Sequence, residues 1–303
     1  MTNKHAIFVV VYKHRHSDLL SNLKNIDSKF DIYITTQQND PNIDEYNQYA
    51  TKSNIYIIAP DVTNIFAKRE YIRKFAIDNG YAGYFMFDDD IRYAAWSIRN
   101  SKKRETSSTY PFYKCDFNEM LNAMVDASVE HNAAYTCNIR WGYIGWRKPN
   151  EVHHNAYINV ANFGYFNTEA MKQVSYDLSG TINEDTDIIV KLLQKGLLCI
   201  SVCDYMFDNI DKNAKNTTID NGENLVVGQA LKYHLPLYVN KVGRIQARIK
   251  FSKFWNTTEL PEIQDQTLYE LCKTRDVEKI RQYLINQNMV RKSNKRIKDD
   301  DKQ

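Results

Sequence analysis

Tyr84-Phe85-Met86-Phe87-Asp88-Asp89-Asp90-Ile91 is the stretch on which the fold turns. Four large apolar residues read as a buried strand, and three carboxylates close it. Open α/β sheets place their ligands at the carboxyl ends of strands. Adjacent carboxylates repel, and each loses hydration near a core. A divalent cation removes both problems. Oxygen-only ligands suit Mg2+ or Mn2+, which commonly bridge a carboxylate to a phosphate. The competing reading is a solvated acidic turn that caps a helix starting at Ile91. Side chains alternate along a strand, so Asp88 and Asp90 share a side while Asp89 faces away.

Upstream, Ala6 to Tyr12 is a continuous β-branched and aromatic run, as in a central parallel strand. Lys13, His14, Arg15 and His16 follow at its carboxyl end. A helix is predicted from Asp18 to Ile26, a strand from Asp31 to Thr35, and a helical stretch from Asp40-Pro41 to Thr51. Ile55 to Ala59 is a third strand. Asn64 to Asp78 has helical spacing, with Ile65, Ile72, Phe75 and Ala76 as its apolar stripe, and Asn79-Gly80 ends it. This β-α-β-α-β-α-β order predicts an α/β fold with a mostly parallel, doubly wound sheet. The segment has no G-x-G-x-x-G and no G-x-x-x-x-G-K-[ST], which argues against a dinucleotide Rossmann domain and against a P-loop. A bound nucleotide would need its phosphates neutralised by another device, and the aspartates with a metal can supply one.

Downstream the pattern is mixed. Residues 100–109 form a polar loop, Asp116 to His131 a helix, Ala134 to Ile139 a strand, Tyr157 to Ala161 another strand, and Thr168 to Val174 a short helix. Asn183 to Lys195 reads as a helix with Asn183 as cap, acids in its first turn, an apolar face of Ile188, Ile189, Leu192 and Leu193, and Gly196 as terminator. A strand from Leu197 to Val202, a polar stretch from Asp208, a helix from Leu225 to Tyr233, a short strand at Leu237 to Asn240 and one C-terminal helix from Gln266 to Gln287 complete the reading. Residues 293–303 are expected to be disordered. The domain expectation is a catalytic domain over 1–250, with halves 1–95 and 96–250, then a helical extension over 251–290 and a basic tail over 291–303.

Composition bounds the function. A net charge of +3 announces no nucleic-acid binder by its overall field, and much of the excess sits in the tail. The five cysteines form no C-x-x-C pair, so zinc and redox readings are weak and a reducing compartment is the default. The sequence shows no signal peptide and no 18-residue apolar span, so a cytoplasmic protein without membrane contact is expected.

Four constellations carry chemistry. The first is the aspartate triplet. The second is Asn183-Glu184-Asp185-Thr186-Asp187, either ordinary capping or a pair of acids that orients or deprotonates an acceptor hydroxyl. The third is Lys68-Arg69, either a diphosphate or base contact at a helix start or part of a solvated face with Arg73 and Lys74. The fourth is Trp141-Gly142-Tyr143-Ile144-Gly145-Trp146-Arg147, either a stacking platform or core. His14, His16, His153, His154 and His234 lack H-x-x-x-H spacing, so each reads individually as structural or exposed.

Three segments in order, Ile65 to Arg69, Tyr84 to Ile91 and Asn183 to Ile188 with Leu192 to Gly196, make the chain similar to the GT-A glycosyltransferases. Within that group it most resembles the TET-associated glycosyltransferases of phages, which are related to the GREB-type domain. The resemblance spans about Ala6 to Val239. It implies a nucleotide-diphospho-sugar transferase that uses Mn2+ or Mg2+ to move a hexosyl or pentosyl group from a UDP-sugar to a hydroxyl. The implied acceptor is a 5-hydroxymethylated pyrimidine in phage DNA, in the cytoplasm of an infected host. It further implies that Tyr12, Lys13 and Arg15 form a uridine pocket. Arg69, Asp88 and Asp89 would meet the nucleotide, and Asp88 and Asp90 the metal. Glu184 or Asp185 would face the acceptor. His234 is the nearest match to the C-terminal histidine that often completes a GT-A metal site.

A DNA acceptor would need phosphate contacts, for which Lys102, Lys103, Arg104, Arg147, Lys148 and the tail are available; the alternative is that these are solubility charges. A protein or surface-glycan acceptor, a nucleotidyltransferase and a catalytically silent binding module are the competing classes.

Overall fold

The computed structural model describes residues 4–11, 23, 25–50, 54–62, 64–89, 91–96, 113–114, 116–140, 152–155, 163–178, 184–209, 222–240, 243–247, 254–255, 257 and 265–290. The chain divides into two compact units, Met1–Asn213 with Phe254–Thr258, and Ala214–Lys253 with Glu259–Gln303.

Among the described residues, the first unit is built on one sheet of ten strands. Strands β1 (His5–Val10), β2 (Phe30–Thr35), β3 (Ile55–Ile58) and β4 (Gly83–Asp88) pair in parallel in the order β3-β2-β1-β4. These are the four strands read from the sequence, and the continuous apolar runs follow from burial on both faces. The sheet then turns mixed. It continues from β4 through β9 (Phe163–Asn167), β7 (Tyr135–Arg140), β10 (Cys199–Asn209) and β5 (Ile91–Trp96) to β6 (Tyr113–Lys114). β9 runs antiparallel to β4 and to β7, and β10 runs parallel to β7. β8 (Val152–His154) pairs antiparallel with β10.

The helix considered from Ile91 is instead β5, an antiparallel partner of β10. Pairing with β10 overrides the capping signal of the preceding acids. Helix α1 spans only Ile43–Asn47, shorter than the stretch to Thr51 that Asp40-Pro41 suggested.

The two faces of the sheet differ. Along β4, Phe85 and Phe87 join Ile7 and Val9 of β1 in a core that packs against Met120, Leu121 and Met124 of α3 (Phe117–Glu130). Phe87 stacks on Phe163 at 4.3 Å between ring centroids. Tyr84, Met86 and Asp88 face the other way, toward α2 (Ile65–Asp78). There Phe8 meets Phe75 edge-on at 5.9 Å. Asn64 caps α2 by accepting the Ala67 N–H at 2.8 Å, and Gly80, at φ +70°, ends it as the sequence suggested. A Cβ at Gly83 would lie 2.0 Å from Tyr165 Oη, so only glycine lets β9 present that tyrosine across β4. Beyond β9 come α4 (Thr168–Met171) and α5 (Glu184–Gln194).

The second unit contains α6 (Gly222–Tyr233), a hairpin of β11 (Leu237–Val239) and β12 (Ile245–Ala247), α7 (Gln266–Thr274) and α8 (Val277–Asn286). Helix α6 packs on β12 and on α7. The single C-terminal helix expected from Gln266 to Gln287 is two helices. Arg275 adopts a left-handed backbone at φ 55°, and Asp276 caps α8 by accepting the Lys279 N–H at 3.1 Å. Among the described residues no helix is long and apolar enough to cross a membrane.

Candidate active site

Helix α2 buries four charged side chains: Lys68, Arg69, Glu70 and Arg73. Isolated charges are costly to bury, so each must meet a compensating group. Arg69 meets two. One terminal nitrogen donates to Asp88 Oδ1 at 3.0 Å and lies 3.0 Å from Glu184 Oε1. The other donates toward Met86 Sδ at 3.5 Å. Nε has no partner among the described residues. Burial opposes the guanidinium charge, but Glu184 and Asp88 outweigh it and hold Arg69 firmly protonated.

The arrangement follows from register. Val10 of β1 pairs with Asp88, which places this carboxylate at the carboxyl edge of the central parallel strands. Glu184 and Asp185 open α5, whose buried Ile188, Ile189, Leu192 and Leu193 fix its orientation. Arg69 thus ties the end of β4 to the start of α5.

Asp185 is the perturbed member of the cluster. Burial raises its pKa, the negative charge of Glu184 raises it further, and Asp88 adds to that. Arg69 and the Thr186 N–H, which donates to Asp185 Oδ1 at 2.7 Å, only partly offset these effects. The carboxyl is pushed up to about 7. Such a group exchanges a proton near neutral pH, which is what a general base must do.

A second layer holds this cluster in place. Arg73 grips Glu70 with two bonds, Nε to Oε2 at 2.8 Å and a terminal nitrogen to Oε1 at 2.7 Å. Arg73 also donates to the Met171 carbonyl at 2.8 Å, and Glu70 Oε2 accepts the Tyr176 N–H at 3.1 Å. The pair therefore pins the segment that carries Tyr176. The Tyr176 ring is buried, and its phenol lies within electrostatic reach of Arg69, Glu184 and Asp185. Neither Tyr176 Oη nor the neighbouring Tyr84 Oη has a hydrogen-bond partner among the described residues.

The profile of the TET-Associated Glycosyltransferase family matches residues 6–217. The chain belongs to this family. No curated protein matches it. Among solved structures, S. aureus TarS 1-349 in complex with UDP is 12% identical, covers 94% of this chain and 91% of its own, and superposes with a TM-score of 0.50. The Pyrobaculum calidifontis mannosyltransferase PcManGT in complex with GDP-Man and Mn2+ is 10% identical, covers 75% of this chain and 61% of its own, with a TM-score of 0.49. The protein is a glycosyltransferase with the GT-A fold, as the ordered segments of its sequence implied.

In this TET-associated glycosyltransferase the structure brings together Arg69, Asp88, Glu184 and Asp185. It also reverses the solvated-face reading of Lys68-Arg69. Lys68, Arg69 and Arg73 are all buried, whereas the Lys74 side chain is 62% exposed. Asp89 is buried too, at 1% exposure. Its charge, with that of Asp40, acts on the Lys68 ammonium, so Asp88 and Asp89 interact with different cations of one helix. Tyr12, Lys13, Arg15, Asp90, Asn183, the aromatic segment 141–147, Lys102, Lys103, Arg104, Arg147, Lys148, His14, His16 and the tail lie outside the described residues. His234 belongs to the second unit, where its ring meets Tyr269 edge-on at 5.3 Å. Sequence reasoning missed Tyr176 and the Glu70–Arg73 pair. The available signal was the density of charge in Lys68-Arg69-Glu70-x-x-Arg73, more than one solvated stripe of an amphipathic helix accounts for.

Proposed function

We propose that this glycosyltransferase moves a sugar from a UDP-sugar to a hydroxyl, with a 5-hydroxymethylated pyrimidine in DNA as acceptor. The observation that supports sugar transfer to a hydroxyl is the convergence of Arg69, Asp88, Glu184 and Asp185 at the carboxyl edge of β4, with one carboxyl poised near 7, whereas the DNA acceptor rests on the family resemblance. TarS has been captured with UDP, in keeping with a UDP-linked donor.

The donor set fits a hard divalent cation. Asp88 offers carboxylate oxygens only, its side chain is 26% exposed, and Arg69 engages one of its two oxygens. Asp88, with Asp90 as its partner from the triplet, would hold Mg2+ or Mn2+. When bound, the cation offsets charge on the departing diphosphate. The protein's own residues do the rest. Arg69 fixes Asp88 relative to α5. In its ionised form Asp185 accepts the proton of the acceptor hydroxyl as the new bond from oxygen to the anomeric carbon forms and the bond to the diphosphate breaks. Glu184 keeps Asp185 basic, and the Glu70–Arg73 pair holds the backbone of Tyr176 beside them.

The test is a transfer assay with UDP-glucose, UDP-GlcNAc and UDP-pentoses, Mn2+, and duplex DNA with or without hydroxymethylated pyrimidines. The expected product is a base heavier by one sugar residue, with UDP released. A nucleotide-bearing product would reassign the enzyme to nucleotidyl transfer. Absence of DNA binding at low salt would move the acceptor to a protein or glycan.

A further inference from the structure

Two histidines meet far from the aspartates. His131 is the C-cap of α3, and His154 ends β8. His154 Nε2 lies 3.2 Å from His131 Nδ1, and the rings stand at 77° with centroids 5.0 Å apart. Register places them well away from the candidate active site. His154 pairs with Ile200, Ile200 with Thr136, Thr136 with Tyr165, and Tyr165 with Phe85. Four strand spacings, roughly 19 Å, therefore separate β8 from β4. His131 lies beyond the amino end of β7, on the side of the sheet away from Asp88.

We propose that His131 and His154 form a two-imidazole site for a borderline divalent transition-metal cation, Zn2+ or Cu2+. The contact is an imidazole–imidazole hydrogen bond, and its nitrogen separation also suits a chelate. With metal–nitrogen bonds of ~2.0–2.1 Å, a nitrogen separation of this size corresponds to an angle at the metal of about 100°, close to tetrahedral. Two rings aimed head-on along a linear hydrogen bond would stand roughly 5.5 Å apart, centre to centre. The shorter observed spacing is that of two lone pairs converging on a point about 2 Å from each nitrogen. A cation would be held through these two nitrogens, with each ring keeping its proton on the other nitrogen.

The ligands are also held by fixed backbone. The His131 N–H donates to the Ala127 carbonyl at 3.0 Å, and Ser128 Oγ donates to the Ala133 carbonyl at 3.0 Å, closing the turn after the helix. Asn155, buried directly after His154, exchanges two 2.7 Å hydrogen bonds with Cys199. Both histidines are followed by an asparagine in the left-handed region, Asn132 at φ 49° and Asn155 at φ 48°, which ends each element and turns the chain away. The His131 ring is half-buried and His154 is exposed, so water can complete the coordination shell. Imidazole nitrogens select Zn2+ or Cu2+ over the hard cations that suit Asp88.

The test uses the full chain without any affinity tag and freed of metal. Zn2+ is titrated by calorimetry, and Cu2+ binding is followed by electron paramagnetic resonance. The expected result is one Zn2+ equivalent that survives Asp88→Asn and weakens by roughly tenfold or more in either His131→Ala or His154→Ala. The Cu2+ spectrum should show coupling to two equivalent-class nitrogens in the parent and to one in each variant. Zn2+ binding unchanged in both histidine variants, loss of the equivalent in Asp88→Asn alone, or no binding by the folded parent chain would each overturn the proposal.

Discussion

Lys68 and Arg69 leave the same helix at adjacent positions, about 100° apart, and both are buried, yet their surroundings treat them oppositely. Arg69 is matched by Asp88 and Glu184 at ion-pair distance, and its charge is reinforced. Lys68 has no carboxylate within 4.0 Å among the described residues. Burial lowers its pKa, and the more distant Asp40 and Asp89 only partly restore it. One helix therefore carries a locked cation and a loosely compensated one, side by side at the carboxyl edge of the sheet. The difference lies in the partner, not in the depth of burial. A guanidinium can serve two carboxylates at once, whereas an ammonium without a close partner pays the full desolvation cost.

The strongest way to break this contrast is to remove the locked cation. Arg69→Met should cost about 3–5 kcal/mol in denaturant unfolding, because Asp88, Glu184 and Asp185 would face one another without their shared counter-charge. Sugar transfer should be lost as well. An Arg69→Met protein of parental stability would show that the carboxylates do not depend on it.

Asp185→Asn tests the acid that Arg69 restrains. Transfer should fall by about 10²–10⁴-fold with the fold intact. In the parent enzyme kcat/KM should rise with pH through about 7, where Asp185 ionises. The stability signature has a definite sign. A carboxyl whose folded pKa lies above its unfolded value near 3.8 stabilises the protein while protonated, and that contribution is lost as pH rises from there through about 7. Unfolding free energy of the parent minus that of Asp185→Asn should therefore decline by a few kcal/mol across this window. A flat difference would contradict the raised pKa.

What could be read in advance followed physical lines. The strands β1 to β4 were legible because a parallel central strand is apolar on both faces, and a carboxylate at the end of such a run has few places to go. Arg69, Asp88, Glu184 and Asp185 were legible as residue types in order along the chain. What brings them to one point is the pairing of β1 with β4 and the packing of α5, neither of which leaves a local signal. The burial of Arg73 was missed for a related reason. Its partner Glu70 sits at i−3 on the same helix, a spacing equally common on solvated faces, and only the Met171 carbonyl and the Tyr176 N–H reveal that the face is covered. The alternative of a helix from Ile91 arose because the acids before it mimic a helix cap, while its strand partner in β10 lies more than a hundred residues later.

A smaller effect is expected on the other cation. Lys68→Met keeps the stem volume and removes a charge that burial already disfavours, so its cost should stay within about 1 kcal/mol. Asp89→Asn acts in the opposite direction, because it takes away one of the two carboxylates that sustain the ammonium. The burial of Asp89 beside Lys68 makes it a lysine-destabilising change, and Lys68→Met should suppress its effect in a double-mutant cycle. Additive costs would separate the two residues and leave Asp40 as the acid that compensates Lys68.

The smallest expected effect is at Tyr176, and it separates positioning from stability. Its backbone N–H is bonded to Glu70, while its hydroxyl is buried and has no partner among the described residues. Removing a buried hydroxyl that makes no hydrogen bond relieves a desolvation cost and takes away no contact. Tyr176→Phe should therefore leave unfolding within about 0.5 kcal/mol of the parent, or slightly raise stability, whereas a hydroxyl in a formed hydrogen bond would cost about 1 kcal/mol. The informative reading is kinetic. The phenol lies within electrostatic reach of Arg69, Glu184 and Asp185, so a hydroxyl that meets the substrate would lower kcat/KM without a stability change. A loss of stability with kcat/KM unchanged would instead give the hydroxyl a structural role on the Arg69 side, extending the locked network by one more bond.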